Sequence, residues 1–127
     1  MRIAMPVEFT SPSPANEVAE NFARAQTFVI CETESEKCEI VKNSAQNTTS
    51  GAGVKAAQII IDQDADAVIA RRIGENAFDI FKEAHLPVYK AEYVTVEENL
   101  AAFSRETLPL YVSPSPKGYR KRRGRPV

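Results

Sequence analysis

The residues with the clearest chemical potential lie at the start of one helix-like run. Thr48-Thr49-Ser50-Gly51-Ala52-Gly53-Val54-Lys55-Ala56 sets two glycines one residue apart, and an apolar face follows them. The spacing fits a relaxed dinucleotide fingerprint with alanine in place of the last glycine. That chemistry needs a strand running directly into the glycines and an acid at the end of the next strand. Here the polar linker Asn43-Ser44-Ala45-Gln46-Asn47-Thr48-Thr49-Ser50 intervenes after Lys42, and Arg71 and Arg72 follow Ala70 where the acid belongs. No Lys-Ser or Lys-Thr pair stands after the second glycine, so a Walker loop is excluded. No nucleotide is expected. What remains is an anion site: glycines at a helix start expose backbone N–H groups, and the helix dipole favours negative charge there. The plainer alternative is that Gly51 and Gly53 let the chain turn tightly against a neighbour.

Two cysteines, Cys31 and Cys38, flank the charged stretch Glu32-Thr33-Glu34-Ser35-Glu36-Lys37. A hairpin centred on Glu34 and Ser35 sets them opposite each other on one face, near enough to share a metal or form a bond. In a reducing compartment they are expected as buried or inert thiols, with metal ligation or redox work as the alternative. Two thiolates complete no structural zinc or iron-sulfur site within one chain, although an oligomer would supply four. The single histidine, His85, stands at a helix end, where a cation suits the dipole. With the single histidine at a helix end, no serine–histidine–aspartate arrangement can be argued. The carboxylates Glu32, Glu34, Glu36 and Glu39 alternate around the hairpin as a solvated edge that discourages sheet-to-sheet aggregation. Nothing in the sequence requires catalysis.

The elements that position these groups follow from periodicity. Ile3–Val7 is a strand interrupted by Pro6; a surface loop follows, and Val18, Phe22 and Ala25 at three- and four-residue spacing predict a short helix over Asn16–Ala23. Residues 27–31 and 38–42 are the two arms of the hairpin. A helix begins near Val54 with Ser50 or Thr49 available as its cap. A buried strand (65–70), a helix (74–85), a strand (86–90) and a helix (95–106) complete the domain. The last helix has Thr95 as cap and Glu98 three residues later, a capping box. Strands alternating with helices in the second half predict parallel pairing, and the first half adds an antiparallel meander. The expected fold is α/β, a three-layer mixed sheet with helices on both faces.

Composition is that of an ordinary globular domain, with 127 residues, 43% of them apolar and 26% charged. No apolar stretch approaches a membrane span and no signal peptide is read at the start, so a cytoplasmic location without membrane contact is expected. The net charge of −1 conceals a division: all 17 acids lie before residue 117, while Lys117, Arg120, Lys121, Arg122, Arg123 and Arg125 crowd the end. Residues 1–108 read as the domain and 109–127 as a Pro-, Arg- and Lys-rich tail, loosely attached. Within that tail Arg122, Arg123, Gly124 and Arg125 resemble an AT-hook core. This supplies the alternative function: a DNA-associated or assembly protein acting through a basic terminus in the minor groove.

The segments MRIAMPV (1–7), NFARAQTFVI (21–30), GAGVKAAQIIID (51–62), DADAVIARRIGENAFDIFKEAHLPVY (64–89) and TVEENLAAF (95–103) carry a resemblance. In this order they resemble the dinitrogenase iron-molybdenum cofactor biosynthesis family, the NifX-like and NifB C-terminal domains. The resemblance implies a ribonuclease H-like motif without that enzyme's carboxylates. It also implies a non-catalytic carrier or scaffold for an anionic iron-sulfur or molybdenum-iron-sulfur cluster, working between donor and acceptor proteins. Such a cluster wants N–H donors from Gly51 to Val54, positive charge from Arg24 and Arg72, and a second helix start at Gly74; Asn21 and Ser50 border the same site. Family members often have histidine where this chain has Asn21, and some have one just before the glycines, where Thr49 and Ser50 stand. Cys31 and Cys38 are the candidate replacement ligands.

Overall fold

The computed structural model describes residues 1–8 and 16–115. Five strands form one sheet: β1 (Arg2–Val7), β2 (Thr27–Glu32), β3 (Cys38–Lys42), β4 (Ala67–Ala70) and β5 (Val88–Lys90). Three helices accompany them, α1 (Ala52–Asp62), α2 (Glu75–Glu83) and α3 (Val96–Ser104). The strand order is β3-β2-β1-β4-β5, antiparallel from β1 to β3 and parallel from β1 through β4 to β5. This is the mixed α/β sheet anticipated from the element order.

Both faces of the sheet are covered, so its central strands read as nearly unbroken apolar runs rather than alternating ones. On one face α1 and α2 bury Ala56, Ala57, Ile60, Ala77, Phe78 and Phe81 against Ala4, Phe28, Ile30 and Val68. On the other, Val96 and Ala102 of α3 join Ile3, Met5, Val29 and Ile69. Phe22, Phe28 and Phe81 form a ring cluster with centroids 5.2 and 5.4 Å from Phe22. Among the described residues no helix is long and apolar enough to cross a membrane.

Two expectations change. The helix predicted over Asn16–Ala23 is an irregular segment stitched across the sheet's carboxyl edge. Its N–H groups are spent on distant carbonyls: Val18 donates to Val94 (2.9 Å), Ala19 to Pro6 (2.7 Å) and Phe22 to Arg72 (3.1 Å). Val18, Phe22 and Ala25 are buried as their spacing suggested, but by tertiary pairing. The tail, expected to be loose from residue 109, is docked as far as Ser115. Lys90 N–H donates to Pro109 O, Tyr111 N–H to Val88 O, and Ser115 N–H to Ile73 O, each within 2.8–2.9 Å. This strap covers β5, whose outer edge would otherwise present unpaired backbone groups. The AT-hook-like residues Arg122, Arg123, Gly124 and Arg125 lie outside the described residues.

Candidate functional site

The turn into α1 is made by glycine for a conformational reason. Gly51 is the N-cap and sits at φ 74°, in the left-handed region, with no side-chain cap bond. Neither Ser50 nor Thr49 takes the capping role expected of it. α2 is likewise capped by a glycine, Gly74, again without a side-chain bond. The contrast is α3, where Thr95 Oγ1 accepts from Glu98 N–H (3.1 Å) and the Glu98 carboxylate accepts from Thr95 N–H (3.1 Å). That backbone bond, joined by one that the Thr95 hydroxyl donates to the same carboxylate (3.1 Å), holds the Glu98 carboxyl below the ordinary glutamate range.

The two glycine-capped tips touch. A Cβ built on Gly53 would lie 3.3 Å from Ala77 N and 3.5 Å from Asn76 Cβ, so Gly53 is what lets the first turns of α1 and α2 approach. Its packing role is therefore real. Its consequence is that the N–H groups of two first turns, which lack intrahelical acceptors, emerge side by side. Both tips stand at the carboxyl edge of β4: α2 starts just after that strand, and α1 ends just before it. Crevices at this edge of an open α/β sheet are where ligands of such folds bind.

The remaining candidates gather around them. Asn21 and Arg72 face each other in a parallel bridge, two residues before Gly74. Arg72 is half-buried and Asn21 exposed. Arg24 is exposed but already engaged: its Nη1 donates to Gln46 O (2.9 Å) and Thr48 O (2.7 Å), fastening the linker that leads to Gly51. It acts first as a brace. Arg71 is also a brace, donating from Nε to Val18 O and from Nη2 to Tyr93 O. Beyond Arg72 a cavity of about 520 Å³ opens between Glu20, Lys90 and the strap.

Cys31 and Cys38 stand opposite each other in the β2–β3 register, as the hairpin predicted, but joined as a disulfide. The expectation of free thiols is corrected: at a directly opposed pair the two side chains lean together, and their Cα atoms are 4.0 Å apart. In this form neither offers a thiolate. The pair lies on the α3 face, away from the α1–α2 tips. His85, exposed, follows α2 at φ 59° and donates its N–H to Lys82 O.

Sequence reasoning missed three groups that hold this edge together. Asn43 Nδ2 donates to Ala23 O (2.9 Å) and Ala25 O (2.8 Å), and its Oδ1 accepts from Ala45 N–H. Ser115 Oγ accepts from Ile73 N–H, and the Tyr111 hydroxyl donates to Arg71 O. An asparagine directly after a strand was the one available signal. Ser115 and Tyr111 sit in a proline-rich stretch with no periodicity to betray them.

The profile of the dinitrogenase iron-molybdenum cofactor family matches residues 1–106. The chain belongs to that family. An uncharacterized protein of Methanocaldococcus jannaschii, MJ0580, is 32% identical over 106 residues, covering 81% of this chain and 85% of the relative. The apo orange protein of Desulfovibrio gigas superposes with a TM-score of 0.84 at 28% identity, over 91% of this chain and 96% of that one. A Thermotoga protein described as a candidate NifB, TM1290, gives 0.77 at 33% identity, over 92% and 98%. A candidate dinitrogenase of M. jannaschii gives 0.69 at 16% identity, over 90% and 97%, and shares the fold alone. The family match spans both glycine-capped helices and the Arg72-Ile73-Gly74 turn.

Proposed function

We propose that the chain is a non-catalytic carrier or scaffold for an anionic metal–sulfur cluster of the iron-sulfur or molybdenum-iron-sulfur type, taken from a donor protein and passed to an acceptor. The observation that carries this reading is the pair of adjoining helix starts, each glycine-capped without a side-chain bond, at one sheet edge beside Arg72. Amide hydrogens and a guanidinium suit a bulky, diffusely charged anion, which they hold without covalent commitment. A cargo that must leave again is best held so. Family membership supports the cofactor-assembly setting.

The test is anaerobic titration with tetrathiomolybdate, and separately with iron and sulfide, followed by gel filtration. The expected product carries a charge-transfer absorption that co-elutes with protein, and the amide resonances of residues 52–54 and 75–77 shift on binding. Arg72→Gln should weaken retention roughly 5- to 20-fold, the worth of one charge-assisted contact. A colourless protein with every species offered, or resonance shifts confined to other elements, would sink the proposal.

A further inference from the structure

Beyond the α1–α2 edge, the opposite face carries a second reactive feature. Cys31 is fully buried, in the cluster that includes Val29, Ile69 and Val96, whereas Cys38 is only half-buried and packs at that cluster's margin. Cys38 also lines a cavity of about 330 Å³ between the hairpin turn and α3, bordered by Glu32, Glu36, Glu97 and Leu100. The bond joins β2 to β3, the strand at the end of the sheet. Cys38 thus borders solvent and Cys31 does not.

We propose that Cys31–Cys38 is a reversible thiol–disulfide exchange site, entered at Cys38 and selective for neutral or cationic thiols. The incoming thiolate attacks Cys38 Sγ, the Cys31–Cys38 bond breaks, and the electron pair goes to Cys31 Sγ, which takes up a proton because its apolar surroundings disfavour a lasting anion. A second reductant thiol then attacks the reductant's sulfur in the mixed disulfide and releases Cys38. In balance, two reductant thiols become one disulfide and the protein disulfide becomes two thiols. Selectivity follows from charge: Glu32, Glu36 and Glu97 border the entrance while Lys37, the exposed base between Glu36 and Cys38, does not line it, and among the described residues Glu32 is the one of these acids in an ion pair, its carboxylate 3.2 Å from Arg2 Nη1. An anionic thiol meets repulsion there and a cationic thiol does not. The ladder of β2 with β3 persists after reduction, since backbone pairing runs from Thr27↔Lys42 to Cys31↔Cys38; what is lost is the covalent staple beside the turn. This inference stands apart from the cargo site and survives its failure.

The test uses the folded full-length chain purified in air. Iodoacetamide without reductant should leave its mass unchanged. After native reduction two alkyl groups should be added, and an acid quench with limiting monothiol should trap the adduct on Cys38. Rates with cysteamine, 2-mercaptoethanol and mercaptoethanesulfonate are each normalised to an exposed small disulfide. The cationic thiol should exceed the anionic one by about 10-fold at low ionic strength, falling to about 2-fold near 0.5 M salt. The double variant Glu36→Gln/Glu97→Gln should shrink the low-salt ratio. Alkylation of both cysteines before reduction, reduction only in denaturant, or an adduct on Cys31 overturns the exchange site. Normalised rates indifferent to thiol charge overturn the selectivity.

Discussion

Asn43 and Asn99 show how single buried amides govern this molecule. Asn99, wholly buried, accepts at Oδ1 from Glu92 and Tyr93 N–H and donates from Nδ2 to Tyr93 and Thr95 carbonyls. It fixes the loop before α3, as Asn43 fixes the linker before α1. Replacing Asn43 by alanine strands one buried carbonyl, one partly buried carbonyl and a buried N–H, so a loss of about 2–4 kcal/mol in urea denaturation is expected. Glu75 opens α2 with a carboxylate at a tip proposed to hold an anion. Glu75→Gln should tighten tetrathiomolybdate retention by roughly 2- to 5-fold, read by equilibrium dialysis, because a competing negative charge is removed. The capping box gives a pH prediction. Glu98 titrates lower in the folded chain than in the unfolded one, so its contribution is present above the unfolded value and is lost as pH falls through the folded one. Glu98→Gln keeps the hydrogen-bond geometry but cannot titrate. The stability difference between it and the parent, measured by thermal melts, should be fixed near neutrality and vanish in acid.

At the scale of elements, the decisive contact is α1 against α2. Gly53→Ala sets a Cβ 3.3 Å from a backbone nitrogen of the neighbouring helix, and the helices must separate by a few tenths of an ångström. Gly51→Ala meets nothing within 4 Å and is opposed only by its positive φ, a cost of about 1 kcal/mol. The two substitutions should therefore part company: Gly51→Ala lowers stability with little change in cargo affinity, whereas Gly53→Ala lowers affinity out of proportion to stability. The strap is the other informative element. Ending the chain after Leu108 instead of after Ser115 uncovers β5 and frees the turn at Arg71–Ile73, and should cost about 1–3 kcal/mol. Comparing the two melts checks this. The strap was invisible in sequence because edge pairing over so short a stretch leaves no periodic signal, whereas α2 and α3 announced themselves through apolar spacing and, for α3, through Thr95 and Glu98.

For the whole molecule the relevant quantity is how charge is distributed. Residues 1–116 are acidic on balance, and the six bases of residues 117–127 bring the total to −1. An anionic cargo therefore approaches a repulsive body unless the terminal bases offset it. Deleting residues 117–127 should slow tetrathiomolybdate association several-fold at low salt, with the difference fading as ionic strength rises; stopped-flow absorbance at two salt concentrations measures it. The Ser115 N–H···O=C Ile73 bond ends the described part of the strap beside Gly74.

The order of the five strands and of α1 to α3, the burial of both sheet faces and the opposition of Cys31 to Cys38 were determined by local patterning, since periodicity and turn chemistry act over a few residues. The nearness of Gly53 to Ala77, the employment of Arg24 and Arg71 as braces, the folding of residues 16–22 across the sheet edge and the docking of 109–115 were decided only in three dimensions. Each depends on which distant carbonyl a donor meets once the sheet has closed. A sequence states which groups can donate; the packed chain settles which of them are already spoken for.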